Sequence, residues 1–147
     1  MKKKLPSHTR QQRLRELLHK TGFKATSSRL ALLGMLQKSP KPLSIATIVK
    51  NLNKDAMDRA TVYRALNALV DKGIIRRIDL QHGHAHYELA SEIDHHHLIC
   101  TACGEFEDFH ECDFVGIKKT ALLGSKKFRT VTGHSFELFG LCKKCDK

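Results

Sequence analysis

Two pairs of cysteines carry the most specific chemical signal in this sequence of 147 residues. Two residues separate the members of each pair, which are Cys100 with Cys103 and Cys142 with Cys145. Such a pair at a tight turn points both thiolates at one centre, and four thiolates complete the closed tetrahedral site that suits structural zinc. A redox pair or two disulfides are the alternatives, but a redox pair needs a helix N-terminus in a βαβ unit, and no such unit is visible. The spacing therefore predicts a four-cysteine zinc site that pins the end of the chain to a sheet.

Histidines and carboxylates alternate along two stretches before and beside the first cysteine pair. Because side chains two residues apart share one face of a strand, this alternation groups ligand types together. The groups are His84, His86 and Glu88 in the first stretch, and His95 with His97, opposite Asp94 and His96, in the second. These ligands suit zinc, iron(II), manganese or nickel, and the spacing does not choose among them. A solvated, histidine-rich surface is the alternative interpretation.

The excess of positive charge lies entirely in the first half of the chain. Residues 1–79 hold 18 Lys and Arg against five acids, a net charge of +13, whereas residues 80–147 have a net charge of −2. All five cysteines and eight of the ten histidines lie in the second half. A strongly basic balance favours a polyanion such as nucleic acid as the partner. We therefore expect a basic binding module followed by a metal-binding one.

The sequence contains no signal for a membrane. No apolar run approaches the roughly 20 residues that cross a bilayer, and no apolar signal-peptide core follows the first residues. We therefore expect a cytoplasmic protein without a membrane partner, in a reducing compartment where paired cysteines are more often metal ligands than disulfides.

The elements of the first half follow the order of a winged helix-turn-helix. Apolar stripes at helical spacing predict three helices between Arg10 and Leu52, with Ser27 or Ser28 and then Ser44 as N-caps. Asp58 opens a fourth, regular helix that Gly73 ends, and its polar face carries Arg59, Thr61, Tyr63, Arg64 and Asn67. Alternating residues at 74–80 and 84–89 then predict a hairpin. In this fold the last helix enters the DNA major groove.

The second half must position the cysteines on a small sheet. Strand patterns occur at 94–100, 105–109 and 128–138, the last broken by Gly133, with a helical stretch at 113–123. We expect a small α/β unit in which strand ends carry both cysteine pairs.

Three segments carry a family resemblance. They are Ala60-Thr-Val-Tyr-Arg-Ala-Leu-Asn, the hairpin end Tyr87-Glu88-Leu89, and His95-His-His-Leu-Ile-Cys-Thr-Ala-Cys-Gly104. Together they resemble the ferric uptake regulator family of metal-dependent bacterial transcription regulators, over nearly the whole chain. The resemblance implies an α+β fold with a winged helix-turn-helix DNA-binding domain at 1–84. A small α/β dimerisation domain with the four-cysteine zinc site would follow at 85–147. It also implies a homodimer that binds a palindromic double-stranded DNA operator when loaded with metal.

Position by position, the resemblance implies roles for individual residues. The structural zinc ligands are the four cysteines named above. The implied ligands of a regulatory metal site between the domains are Glu88, His95 and His97, which His86 can join from the adjacent strand. The candidates for a further metal site are Asp94, His96, Asp108 and His134. The candidate DNA contacts are Lys24, Arg29, Arg59, Thr61, Tyr63 and Arg64.

The chain also departs from the family pattern. Iron and peroxide regulators supply a histidine before the third helix, whereas residues 38–43 read Lys-Ser-Pro-Lys-Pro-Leu and contain no ligand. Val115 or a neighbour stands where an acidic ligand is expected. Cys112 is unassigned, and a packed side chain is the first interpretation, with metal or redox involvement as the alternative. The histidine-rich set fits a zinc-uptake regulator at least as well as an iron regulator, so the regulatory ion is Zn²⁺ or Fe²⁺.

These patterns favour a metal-responsive repressor of metal uptake or homeostasis genes, without catalysis or a small-molecule substrate. One alternative is a zinc-dependent nucleic-acid hydrolase, but a His-Glu-x-x-His signature does not occur in the sequence. Another is a metal-storage protein or metal chaperone, which would not need the outward face that carries Tyr63 and Arg64.

Overall fold

The computed structural model describes residues 9–52, 57–79, 84–91 and 95–146. The chain divides into two compact units, one extending to Ala90 and the other beginning at Ser91. The boundary expected after residue 84 falls at the start of a strand, Ala85–Leu89, that pairs with Ile75–Asp79. Because this strand completes the hairpin, it belongs to the first unit, and the division comes six residues later than expected.

Four helices form most of the first unit within its described residues. They are α1 (Arg10–Lys20), α2 (Ser27–Lys38), α3 (Ile45–Asn51) and α4 (Arg59–Asp71). Each follows a polar residue whose side chain accepts a hydrogen bond from a backbone N–H in the first turn of the helix. This bond satisfies a donor that the helix itself leaves unpaired.

The N-cap of α2 differs from the one expected. Thr26, not Ser27 or Ser28, has the extended backbone of a cap, and its Oγ1 accepts the N–H of Arg29 at 3.4 Å. Both serines therefore lie within the first turn. The expected caps Ser44 and Asp58 are confirmed at α3 and α4.

One apolar core joins the four helices to the strands behind them. Val62, Leu66 and Leu69 of α4 are buried as the helical spacing predicts, so the opposite face of this helix is left for solvent or a partner. The other fully buried members of this core are Leu18, Leu32, Leu33, Ile48, Ile74 and Ile75.

The strands of the first unit form a small antiparallel sheet. Its strands are β1 (Leu43–Ser44), β2 (Ile75–Asp79) and β3 (Ala85–Leu89), in the order β1-β3-β2. The hairpin of β2 and β3 follows α4 directly, as the change from helical to alternating pattern predicts. Helices followed by this hairpin make the first unit a winged helix-turn-helix.

The second unit contains three strands and one helix in its described part. These are β4 (His96–Cys100), β5 (Phe106–Phe109), α5 (Phe114–Gly124) and β6 (Glu137–Gly140). The strand order is β5-β4-β6, with β4 antiparallel to β5 and parallel to β6. This central position of β4 gives it a neighbour on each side.

The last strand is shorter than expected. The pattern at 128–138 predicts one long strand broken at Gly133, but only Glu137–Gly140 pairs, alongside His97–Cys100. Among the described residues, none of 128–136 lies in a strand, and β4 itself begins at His96. Residues 128–136 form the connection from α5 to the sheet.

Helix α5 has no buried residue in this single chain. Val115 is 78% exposed and Leu123 is 79% exposed, and Phe128 beyond the helix is 70% exposed. Large apolar side chains grouped at the surface of a globular unit are typical of a surface that another molecule covers.

In the described part of the chain no helix is both long and apolar enough to cross a membrane.

Candidate metal centres and DNA-binding face

The two cysteine pairs meet at one end of the second sheet. The parallel register sets Cys100 beside Gly140, and this brings the pair after β6 next to the pair at the end of β4. Gly104, with a positive φ of 72°, closes the first turn and donates its N–H to the Cys100 carbonyl at 2.9 Å. The Sγ atoms all lie within 4.8 Å of one another, and they belong to Cys100, Cys103, Cys142 and Cys145. The structure thus groups the four cysteines as a closed thiolate set that can hold zinc.

Backbone hydrogen bonds favour a thiolate within this cluster. The N–H of Cys142 donates to Cys100 Sγ at 3.3 Å. With the backbone of Cys103, this donor lowers the pKa of the Cys100 thiol to about 6. Hydrogen bonds with Cys142 and Cys103 instead raise the pKa of the Cys145 thiol to about 12. One thiolate is therefore favoured at neutral pH, and a metal ion must displace protons from the others.

A second cluster lies on one face of β4. His96 is 1% exposed, and its Nε2 lies 3.1 Å from Nε2 of His134. Cys112, just before α5, places its Sγ 3.7 Å from the same His134 nitrogen. The three donor atoms lie within 4.8 Å of one another. The structure thus joins the two predicted histidines to a cysteine.

The opposite face of β4 holds His95 and His97. Their rings meet edge-on with centroids 5.2 Å apart, and His97 is fully buried. Asp108 is the partner of His97 across the β4–β5 ladder, and its Oδ1 lies 3.6 Å from His97 Nε2. Cross-strand partners share a face. The sequence led us to expect Asp108 beside His96 and His134, but the structure places it beside His97. Asp94, the other carboxylate predicted for that site, lies outside the described residues.

Glu88 and His86 occupy alternate positions of β3 in the first unit. Glu88 faces Arg76 across the β2–β3 ladder, with Oε1 3.9 Å from Arg76 Nε. His86 is half-buried, and its Nδ1 lies 3.2 Å from the His84 carbonyl oxygen. Burial lowers the pKa of His86, which favours the neutral ring that binds metals. No group of three close donors among the described residues includes His86.

The exposed face of α4 carries an ordered polar chain. Asp58 accepts the backbone N–H of Thr61 at 2.9 Å and the hydroxyl of Thr61 at 2.6 Å. The Thr61 hydroxyl oxygen in turn accepts a bond from Arg64 Nη2 at 3.0 Å. The bonds from Thr61 lower the pKa of Asp58, so this carboxylate stays ionised. The N-cap of α4 therefore also holds the Arg64 guanidinium in place, one turn into the helix.

Two arginines of the first unit make cation–π contacts with aromatic rings. Arg59 lies over the ring of Tyr63, with its guanidinium carbon 5.8 Å from the ring centroid, and Tyr63 is 38% exposed. Arg29 lies 4.9 Å over the ring of Phe23 and donates from Nη1 to the Lys24 carbonyl at 3.0 Å. The six predicted DNA contacts thus occupy two stretches, α4 and the segment entering α2. Such cations suit phosphate and base contacts.

Cys112 is a ligand candidate whose partners no short spacing in the sequence indicates. His96 lies 16 positions earlier and His134 lies 22 positions later. The sequence offers one indication of its role, which is that Cys112 is the fifth cysteine in a chain whose other four form one cluster.

Comparisons with known proteins agree across both units. The sequence profile of the ferric uptake regulator family matches residues 20–139. The ferric uptake regulation protein of Escherichia coli K12 is 33% identical over 135 residues, 88% of this chain and 88% of that protein. The Helicobacter pylori ferric uptake regulator, whose structure reveals three functional metal-binding sites, gives a TM-score of 0.71 at 25% identity, covering 92% of this chain and 90% of that one.

A second solved structure, the ferric uptake regulator of Francisella tularensis with iron, gives a TM-score of 0.70 at 29% identity, covering 86% of this chain and 96% of that one. The profile match spans the first unit from α2 onward, both histidine faces of β4 and the first cysteine pair. On these grounds the chain belongs to the ferric uptake regulator family.

Proposed function

We propose that this protein is a metal-responsive repressor that binds a double-stranded DNA operator and controls metal uptake or homeostasis genes in the cytoplasm. The observation that carries the proposal is the exposed face of α4, where Thr61 and Asp58 hold Arg64 in place. Proteins of this family are DNA-binding transcription regulators and not enzymes. A nucleic-acid hydrolase is therefore not proposed.

DNA binding would combine two kinds of contact. The net charge of +13 in residues 1–79 supplies a salt-dependent attraction to phosphates. Lys24 and Arg29 would contact the backbone, whereas Thr61, Tyr63 and Arg64 would contact bases or sugars in the major groove. Arg59, held over Tyr63, would add a further cation to the same face.

A regulatory metal ion would bind at His95 and His97. Two buried imidazoles 5.2 Å apart, with the Asp108 carboxylate beside one of them, offer the nitrogen and oxygen ligands that Zn²⁺ and Fe²⁺ accept. We propose Glu88 as a further ligand, with His86 as a substitute for the histidine that residues 38–43 lack. The metal can strengthen operator binding only as far as it binds the DNA-competent form more tightly than the other form.

The four cysteines would hold a structural Zn²⁺, and His96 with His134 would form a further metal site.

Two observations bear on the identity of the regulatory ion. The missing histidine before α3 favours Zn²⁺, while the related Francisella tularensis regulator was solved with iron. We propose a zinc-uptake regulator, with an iron regulator as the second candidate.

The protein would act as a homodimer. Regulators of this family bind DNA as dimers, and the exposed side chains of Val115, Ile117 and Leu123 on α5 provide an apolar surface for a second copy. A twofold dimer matches a palindromic operator because both have the same symmetry.

Replacement of Arg64 tests the DNA-binding face. Duplexes enriched from a random-sequence library by the metal-loaded wild-type protein serve as the probe. We expect Arg64→Ala to weaken binding to the enriched duplex about 5-fold or more, because a base contact by arginine contributes about 1–3 kcal/mol. The matched control is Lys72→Ala, which removes an exposed cation at the other end of the same helix.

Two outcomes would contradict the proposal. One is a wild-type protein that enriches no duplex over the starting library. The other is an Arg64→Ala variant that binds the enriched duplex as tightly as Lys72→Ala does. Zinc content should be the same in both variants, since neither residue lies in the second unit.

A further inference from the structure

We propose that Cys112 is a thiolate ligand of the further metal site, so that this site has two imidazoles and one sulfur and takes a zinc-class ion. The inference rests on the proposed metal response and names the donor set of one of its sites. The donors are Nε2 of His96, Nε2 of His134 and Sγ of Cys112.

The separations between these atoms match a tetrahedral ion at their centre. Zinc–nitrogen bonds of about 2.0–2.1 Å and a zinc–sulfur bond of about 2.3 Å place two nitrogens roughly 3.3 Å apart and nitrogen and sulfur roughly 3.6 Å apart. The two Nε2 atoms lie 3.1 Å apart, and Cys112 Sγ lies 3.7 Å from His134 Nε2. Two of the three separations thus match edges of a coordination tetrahedron, and the third, between His96 Nε2 and Cys112 Sγ, is within 4.8 Å.

Both imidazoles are oriented by other groups. His96 Nδ1 lies 3.1 Å from the Phe136 carbonyl oxygen, which can only accept, so Nδ1 carries the proton and Nε2 keeps its lone pair. The His134 ring is stacked on Phe114 with centroids 4.2 Å apart and planes 17° apart. A hydrogen bond from Nδ1, as His96 has, is what metal-ligating histidines normally have, and the stacked Phe114 ring fixes the plane of His134.

The chain around the cluster gives the site its selectivity. Asp108, one of the carboxylates predicted for this site, faces His97 on the other side of β4, so it does not complete this donor set. A thiolate favours zinc-class ions over manganese or magnesium, which prefer oxygen ligands. A packed, inert cysteine is the simpler interpretation, but it does not account for the convergence of two imidazole nitrogens on the sulfur.

Cobalt(II) replaces zinc and reports a thiolate ligand by a near-ultraviolet sulfur-to-cobalt charge-transfer band. The experiment adds Co²⁺ to full-length protein that retains one Zn²⁺ per chain at the four cysteines, and measures the zinc content again afterwards. The difference spectrum between wild type and Cys112→Ser is the readout, because any cobalt at the four cysteines contributes equally to both. The matched control is Glu111→Gln, a neighbouring exposed position.

We expect the wild type and Glu111→Gln to show the additional charge-transfer band, and Cys112→Ser to lack it. Zinc competition should show at least about 10-fold weaker binding at this site in Cys112→Ser. Cys112→Asp should restore cobalt binding without the band, because it returns a carboxylate in place of the sulfur.

A Cys112→Ser variant with the wild-type band, or a wild type whose cobalt beyond the four-cysteine site gives no such band, would overturn the proposal. The measurement uses no DNA. A protein that fails to bind an operator but loses the band in Cys112→Ser would therefore refute the proposed function and leave this inference intact.

Discussion

At the scale of single residues, the four cysteines act as one chemical group. Each thiol is linked to another within the cluster, and the pKa of Cys100 falls to about 6 while that of Cys145 rises to about 12. A bound metal ion removes this imbalance by taking all four sulfurs as thiolates. Loss of one ligand should therefore affect the whole set.

The first prediction concerns Cys103. Cys103→Ser should reduce the tightly bound zinc by one equivalent per chain and lower the unfolding temperature of the second unit, because structural zinc contributes directly to folding. Metal analysis by mass spectrometry and thermal unfolding measure both effects. Ala102→Ser, in the same exposed turn, should leave both unchanged. Full zinc retention in Cys103→Ser would show that the four-cysteine site is misassigned.

Residue roles were predictable where the partners repeat at short spacing. The two Cys-x2-Cys pairs and the opposite faces of His96 and His97 follow from spacing and alternation alone. The contact of Cys112 with His134 does not, since it depends on how α5 and β6 return to β4. The grouping of Asp108 with His97 needs the β4–β5 register, which the residue pattern leaves open.

At the scale of elements, α4 combines a helix cap with a binding face. Asp58 begins the helix and, through Thr61, holds Arg64 in place. The capping of the helix N-terminus and the position of the Arg64 guanidinium are thus linked. A substitution of the cap residue should therefore change both the stability of the protein and its affinity for DNA.

The second prediction is a pH dependence at Asp58. Hydrogen bonds from Thr61 lower its pKa below the ordinary value of 3.8. Ionised Asp58 therefore stabilises the folded state above this ordinary value, and the stabilisation is lost as the pH falls through the lowered, folded-state pKa. The difference in free energy of unfolding between wild type and Asp58→Ala should be constant near neutral pH and should shrink in acid.

Urea unfolding followed by helical circular dichroism measures this difference. Ser44→Ala is the control, because it removes the cap of α3 without a titrating group and should cost about 1 kcal/mol at every pH. A difference for Asp58→Ala that stays constant down to about pH 3 would contradict the assigned role of the carboxylate.

Most elements were predictable because their signals are local. The span of α1, the caps Ser44 and Asp58, and the change of period after Gly73 all lie within short stretches of sequence. The short strand β1 and the true extent of β6 depend on distant partners, β3 and β4. No residue pattern within 128–138 indicates where pairing with β4 begins.

At the scale of the whole molecule, the excess of basic residues and the cysteines lie in different units. Residues 1–79, with a net charge of +13, supply the four helices and strands β1 and β2 of the winged helix-turn-helix, which β3 completes, and the second unit holds the cysteine cluster and the histidines of β4. The exposed side chains of α5 add the surface that a second copy would cover. Metal response, DNA binding and assembly thus have separate residues that can be tested independently.

The third prediction concerns assembly. Leu123→Glu should convert a dimer into a monomer, because it puts a charged side chain where an apolar one, 79% exposed in the single chain, would be buried against the second copy. Sedimentation measures the mass. Thr120→Glu adds the same charge to another exposed position of α5 and should remain dimeric. A dimeric Leu123→Glu protein would exclude this position from the interface.

The most direct test of the proposed function is to titrate metal into a mixture of the protein and the enriched duplex. The fluorescence anisotropy of the duplex reports operator binding at each metal concentration. Zn²⁺ and Fe²⁺ are added in parallel to the wild type and to a His95→Ala/His97→Ala double variant with matched circular dichroism and matched zinc at the four cysteines. We expect one of the two ions to raise the operator affinity of the wild type by about 5–150-fold, the usual range of such coupling, and to leave that of the double variant unchanged. A double variant that keeps the full metal response would contradict the assignment of the regulatory site to His95 and His97.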